Sequence, residues 1–277
     1  KPIFVQMSLQ NPHDPLQVPQ SYLNLYLNMT DPQRQAYLGL VSNMDDIVKS
    51  MVDTLKAKEL YEDTVIVFTT DNGGSIGAGG SNQPLRGNKN TLYEGGTRGV
   101  AFVHSPLLAK TGYASDKKIH AVDWLPTFVH IAGGKIDFPT DGVNQWYVLS
   151  EDGPQARPGF VYNIDEKFPF RAAIRSGDWK LHWEYPGHLN RDYPPGDFVF
   201  DFKDWIKLST RPPFQLYNIA KDPTESTDYS SEKSSLLLSL QIEIEKYLLH
   251  LTPAIDPPDS LVGVQWIQAN NYTPGWC

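Results

Sequence analysis

The run Thr69-Thr70-Asp71-Asn72-Gly73-Gly74 sets a carboxylate beside an amide carbonyl, and the two glycines that follow let the backbone turn sharply. Such a turn suits part of a site for a hard cation such as Ca2+. Because that ion takes about six to eight oxygen ligands, Asp71 and Asn72 are too few by themselves and other carboxylates have to complete the sphere. Taken alone, the same residues also read as a turn that only caps a strand. Two further groups bear on the choice. His13 lies in the proline-bracketed cluster Gln10-Asn11-Pro12-His13-Asp14-Pro15, and Lys89 lies in Pro84-Leu85-Arg86-Gly87-Asn88-Lys89. Either residue singly is an ordinary loop side chain. An imidazole and an ammonium brought beside Asp71 could together surround one anionic group.

Several elements must bring these residues together. Residues 64–70 (TVIVFTT) are a continuous, largely β-branched run, predicted as a strand buried on both faces of a parallel sheet, and ligands in open α/β sheets bind at the carboxyl ends of strands. Residues 3–9 (IFVQMSL) predict a buried strand that opens into the His13 loop. If the sheet is parallel, both loops emerge on the edge that carries Asp71. Residues 73–99 hold nine of the 21 glycines and predict a long, tightly turning loop that includes Lys89. Between them, Asp31 can cap and Pro32 suits the first position of a helix whose apolar stripe runs through Tyr37, Val41, Met44, Val48, Met51, Val52 and Leu55.

Residues 100–104 resume a strand, and residues 122–132 predict a helix interrupted by Pro126 or starting near it. The order implies an α/β layer architecture with a mainly parallel sheet. A shift to Pro, Gly and charge at residues 151–154 divides the chain into residues 1–150 and a smaller α+β part, residues 151–277. Residues 171–183 then give a hairpin signal, residues 215–218 a short strand and residues 234–251 a terminal helix, which together predict a small antiparallel sheet with one packed helix.

The sequence has 277 residues, 40% hydrophobic and 20% charged, with a formal net charge of -8. That balance offers no electrostatic footprint for DNA or RNA, and no apolar run approaches the roughly 18 residues of a membrane span. An anionic substrate therefore needs a local cluster of cations or a metal. Cys277 is the single cysteine, so no internal disulfide and no cysteine-based metal site can form. It reads either as a free thiol or as a bridge to a second chain. Asn28-Met29-Thr30 and Asn271-Tyr272-Thr273 fit the glycosylation acceptor pattern, which points Asn28 and Asn271, and the thiol with them, toward the oxidising secretory pathway. The start at Lys1 without Met, and without a signal-like segment, reads as a processed or artificial boundary.

The runs LQNPHDPLQVP (9–19), FTTDNGG (68–74), PLRGNKNTLYEGGTRG (84–99), DWLPTFVHIAG (123–133) and AAIRSGDWKL (172–181) resemble, in the same order and with similar spacing, those of the arylsulfatases. The match looks closest to the arylsulfatase B type, which removes sulfate from N-acetylgalactosamine 4-sulfate, and it extends over residues 1–250. The resemblance implies an α/β fold: part of the alkaline-phosphatase-like sulfatase sheet with flanking helices, followed by the small antiparallel sheet. It implies that Asp71 and Asn72 are ligands of Ca2+, that His13 contacts the substrate sulfate, and that Lys89 holds a sulfate oxygen, so that His13 and Lys89 are both the catalytic and the substrate-binding residues of this chain. Arg86 and Arg98 are expected to organise the loop by ion pairing.

The family nucleophile is a formylglycine made from the cysteine of a Cys-x-Pro-x-Arg motif, and the sequence has none. Thr30-Asp31-Pro32-Gln33-Arg34 is a chance echo. The paired aspartates of the calcium site and the N-terminal lysine and histidine are missing as well. The expectation is therefore a secreted or lysosomal sulfatase portion, inactive alone, that acts on a sulfated small molecule or glycan when joined to an N-terminal half, with Cys277 the possible interchain disulfide. The alternative is a non-catalytic, sulfatase-derived secreted protein that binds calcium or glycans or serves as structure. Phosphate-ester hydrolysis on the same scaffold would need more Asp and His ligands than the sequence places.

Overall fold

In the computed structural model the described residues are 3–167, 170–184, 186–187 and 212–253, with Ile255 and Gln265. A one-turn helix, α1 (Gln20–Leu23), precedes the long amphipathic helix α2 (Pro32–Ala57). Asp31 accepts hydrogen bonds from the amides of Gln33 and Arg34 at 2.8 and 3.2 Å, and Pro32 stands at the first helical position, where its missing N–H leaves nothing unsatisfied. The seven predicted stripe residues of α2 are half-buried, and Gly39 and Leu40 are buried.

Strand β1 (Ile66–Thr69) pairs with β2 (Ala101–His104), and the two run antiparallel, Val67 opposite Val103 and Phe68 opposite Phe102. The Phe68 and Phe102 rings stack at 5.1 Å. This corrects the expected parallel arrangement among the described residues. A parallel neighbour needs a crossover that carries the chain back to the start of the first strand. Here the loop between the strands turns the chain back at β1's own end, where the Thr70 amide bonds Val100 O and the Val100 amide bonds Thr70 Oγ1, both at 3.0 Å. A second expectation also changes. Residues 3–9 join no ladder, and Ile3, Phe4, Val5 and Met7 are exposed. Their apolar pattern is that of a strand, but among the described residues no strand lies alongside to take up their backbone groups.

The short helix α3 (Glu94–Thr97) lies in the loop between β1 and β2, and α4 (Trp124–Ile131), with Pro126 in its first turn, and α5 (Trp146–Glu151) follow β2. Beyond them β3 (Gly159–Asp165), β4 (Arg171–Ser176), β5 (Trp179–Glu184) and β6 (Phe214–Asn218) form a four-stranded sheet in the order β3-β4-β5-β6, antiparallel throughout. The β4–β5 turn passes through Gly177 at φ +54°, a conformation glycine adopts without strain. Helix α6 (Ser234–Leu248) covers one face, burying Leu240 and Ile244 against Ala172, Ile174, Leu181 and Leu216. Full burial of each of these larger aliphatic side chains stabilises by about 1.5–3 kcal/mol before ordering entropy is counted.

A buried ion pair anchors the segment between α5 and β3. The wholly buried carboxylate of Asp123 takes Arg157 Nε at 2.8 and 3.0 Å, the amides of His120 and Val143 at 2.9 and 2.8 Å, and Gln145 Nε2 at 2.9 Å. Burial pushes this carboxyl up, but the Arg157 guanidinium and the other donors outweigh it and hold Asp123 below the usual carboxylate range.

Candidate active site

His13 and Lys89, 76 residues apart in sequence, meet with Lys89 Nζ 3.2 Å from His13 Nε2. The other ring nitrogen, Nδ1, lies 2.9 Å from Asp14 O. A carbonyl can only accept, so Nδ1 carries the proton and donates, and Nε2 accepts from the ammonium. The His13 loop is moored to α2 by Asn11, whose Nδ2 donates to Leu40 O at 3.1 Å and to Asn43 Oδ1 at 2.9 Å. Lys89 is moored to the β1 loop, since its amide donates to Gly74 O at 3.2 Å. Two separate loops thus bring an imidazole and an ammonium together, and the Lys89 backbone is bonded to the turn that follows Asp71 and Asn72.

Asp71 is exposed at the end of β1, and Asn72 beside it is half-buried. The Asn72 amide nitrogen donates to Gly73 O at 2.8 Å, which turns the side-chain carbonyl the other way. Among the described residues nothing donates a hydrogen bond to Asp71 or to Asn72 Oδ1. The Asp71 carboxylate and the Asn72 side-chain carbonyl are thus without a donor among the described residues, and oxygen groups of this type are what a hard cation binds. Among the described residues no group of three or more His, Cys, Asp or Glu converges to hold a metal.

The turns of residues 73–99 are fixed by contacts that only glycine permits. A Cβ on Gly73 would stand 1.8 Å from Gly95 O, and one on Gly95 would stand 2.4 Å from Gly87 O and 2.6 Å from Arg86 O. Asn82 binds Gly74 on both sides, accepting from its amide at 2.7 Å and donating to its carbonyl at 2.9 Å.

Behind the loop lies a cluster that sequence reasoning missed. Lys180 of β5 is wholly buried, with Nζ 2.9 Å from Glu94 Oε1 and 3.0 Å from Glu225 Oε1. Tyr162 donates to Glu94 Oε1 at 2.8 Å, and the Lys180 ammonium lies 4.3 Å from the centre of its ring. Burial disfavours the charged form of Lys180, but Tyr162, Glu225 and Glu94 outweigh it and raise its pKa above the ordinary lysine value. Glu225 is pushed up by burial and pulled down further by Lys180 and His182, so it is ionised well into the acid range. His182 Nε2 lies 2.9 Å from Glu225 Oε1, while its Nδ1 is buried without a partner among the described residues. Burial therefore lowers the His182 pKa, against the pull of Glu225, and the ring is neutral. Burial also raises the Tyr162 hydroxyl, to about 12. Alternation along β5 gave the only sequence signal for this cluster, since Lys180 and His182 fall on one face while Leu181 faces the apolar core.

The remaining expectations divide. Arg86 does organise the loop, but through Glu225 O at 2.8 Å and the face of Tyr93 at 4.4 Å. Arg98 is exposed. Asn28 is exposed just before α2. Asn271 and Cys277 lie outside the described residues.

The sulfatase family profile matches residues 1–134, which include His13, Asp71, Asn72 and Lys89. Arylsulfatase J of Mus musculus is 33% identical over 281 residues, covering 93% of this chain and 47% of the relative. N-acetylgalactosamine-6-sulfatase of Homo sapiens is 25% identical over 294 residues, covering 99% and 53%. The chain thus spans about half the length of the curated relatives it matches. Among solved structures, Ps i-CgsB in complex with k-i-k-neocarrahexaose superposes with a TM-score of 0.75 at 27% identity, over 94% of this chain and 53% of that one. The PsFucS1 sulfatase from Pseudoalteromonas sp. gives 0.60 at 21% identity over 77% and 42%, a likeness of fold.

Proposed function

The chain belongs to the sulfatase family and has its alkaline-phosphatase-like α/β fold, and we propose that it supplies the sulfate-holding side of a calcium-dependent sulfatase acting on aryl sulfates or sulfated glycans. The observation that carries the reading is the meeting of Lys89 Nζ and His13 Nε2 at 3.2 Å, with the Lys89 amide bonded to Gly74 O of the turn after Asp71. In this reading the Lys89 ammonium exchanges the imidazole for a sulfate oxygen, and His13, no longer the acceptor of Lys89, contacts the ester through a ring N–H. A preorganised cation such as Lys89, with a hydrogen-bond donor beside it, acts where charge develops.

Asp71 and Asn72 would hold the calcium ion on this side of the site, and the ion, when bound, supplies neutralisation of the sulfate charge. In this reading the nucleophile comes from sequence other than these 277 residues, within which no Cys-x-Pro-x-Arg motif occurs. Cys277 is then available to bridge to that segment in an oxidising compartment, and the exposed sequon at Asn28 agrees with a secretory route. Among the described residues no helix is long and apolar enough to cross a membrane.

The test is turnover of an aryl sulfate by the protein at its full natural length. Lys89→Ala and His13→Ala should each lower kcat/KM by about 10²-fold, the usual loss for one stabilising donor. Asp71→Ala should raise the calcium concentration needed for half-maximal activity. The 277-residue chain alone should be inactive. Wild-type turnover by Lys89→Ala, or turnover indifferent to calcium chelation, would overturn the reading.

A further inference from the structure

The loop that carries Lys89 leaves the glycine-rich segment at Arg86 and rejoins it at Glu94, and one residue grips both legs. Glu225 follows β6 in the other sheet and is wholly buried; it lies 139 residues from Arg86 and 131 from Glu94 in sequence. Its Oε2 accepts the Glu94 amide at 2.6 Å, and its backbone carbonyl accepts Arg86 Nη1 at 2.8 Å. The legs are tied to each other just above, where the Gly95 amide donates to Arg86 O at 2.6 Å. Between these ties the tip turns on Thr91, whose hydroxyl donates to Asn88 O at 2.8 Å, and Lys89 projects from it toward His13.

Glu225 is itself held from every side. Lys180 and His182 bind Oε1 at 3.0 and 2.9 Å, and the Glu225 amide donates to Asp222 O at 3.2 Å. The residue adopts φ +52°, a left-handed conformation that a glutamate takes up only where its surroundings impose it. A buried carboxylate so fully engaged stabilises a particular geometry more than it adds net stability.

We propose that Glu225 is a positioning residue for Lys89, setting from the second sheet where the ammonium stands. The inference rests on Lys89 being a sulfate-holding residue. The partners of Glu225 include neither the Lys89 nor the His13 side chain, so its effect on turnover must pass through the loop.

The test is a double-mutant cycle in the protein at its full natural length, with an aryl sulfate as substrate and the melting transition recorded for each variant. Glu225→Gln keeps the size of the side chain and should lower kcat/KM about tenfold. In the Lys89→Ala background the same change should lower it less than twofold, because the group it positions is gone. Arg86→Gln releases the other leg from a half-buried site and should follow the same pattern. Equal fold losses in both backgrounds would overturn the proposal and leave Glu225 a stabilising residue only. So would unfolding of both variants, since the cluster would then serve the fold alone. The Lys89→Ala variant by itself reports on the functional reading: full activity there defeats that reading and the present inference with it, whereas a loss there with equal losses along the cycle defeats only the inference.

Discussion

Replacing Lys180 with methionine removes the one full positive charge placed between Glu94 and Glu225 while keeping most of the volume of the side chain. The two carboxylate oxygens each lie about 3 Å from Nζ, and therefore within about 6 Å of each other. At an effective dielectric constant of about 20, two unit charges at that separation repel by about 3 kcal/mol, or about two pK units. Removing one partner of a buried pair typically destabilises by about 3–5 kcal/mol, which agrees with this repulsion plus lost hydrogen bonds. The variant should therefore unfold at markedly lower urea, followed through the fluorescence of Trp179 and Trp183 on the same strand. The pH dependence separates this account from simple loss of packing. In the wild type His182 is held below its ordinary pKa, so the unfolded chain takes up a proton first and stability falls as pH drops through about 6.5. In Lys180→Met one carboxyl is raised, so the folded state takes up a proton first and stability is regained as pH falls from neutrality toward about 4.5. His182 reinforces that change, because Lys180 no longer opposes its charging. A variant within 1 kcal/mol of wild type by the ordinary scatter of surface substitutions, or one that weakens from pH 7.5 to 5.5 in parallel with wild type, would refute the reasoning.

Two further outcomes follow from the same geometry. Asp123→Asn should destabilise by about 3–5 kcal/mol in urea unfolding at pH 7, because Arg157 is left charged and nearly buried without its partner, and the difference should shrink as pH falls through the range where the wild-type carboxyl is itself protonated. Gly95→Ala should lower stability by about 1–3 kcal/mol through overpacking, since its Cβ meets two backbone carbonyls that cannot step aside, and limited proteolysis should then cut within residues 73–99 where the wild type resists.

The parts of the fold legible in the sequence were those with local causes. Asp31 and Pro32 mark the start of α2 by capping chemistry, and Gly177-Asp178 marks the hairpin because glycine tolerates its positive φ. Strand direction had no such mark. A β-branched run such as residues 64–70 reads alike in a parallel or an antiparallel pair, and the return at Thr70 and Val100 depends on how the loop closes. Residues 3–9 have the composition of a strand but no neighbour among the described residues, and a ladder is a property of two segments. The site divides in the same way. His13, Asp71, Asn72 and Lys89 could be singled out because each sits in a turn of unusual composition, and the structure brings His13 into contact with Lys89 and bonds the Lys89 backbone to the Asp71 turn. Glu225 offered no signal, standing in Asp222-Pro223-Thr224-Glu225 as one more acidic residue of an exposed-looking turn.

That omission follows from the physics of the cluster. Lys180, His182, Glu94 and Glu225 come from three separate stretches of chain, and none of them would be buried unless the others were. Each alone predicts a solvated surface, because the cost of desolvating one charge exceeds anything its own segment can return. Together they form a site in which every charge has a partner at about 3 Å, and the arrangement tolerates little displacement because a gap of an ångström leaves a charge unmet in a low dielectric. An apolar contact in the same place would hold the two parts together with similar or greater strength, yet it would let the loop slide. A charged tie resists sliding, and the role proposed for Lys89 asks for fixed position more than for added stability.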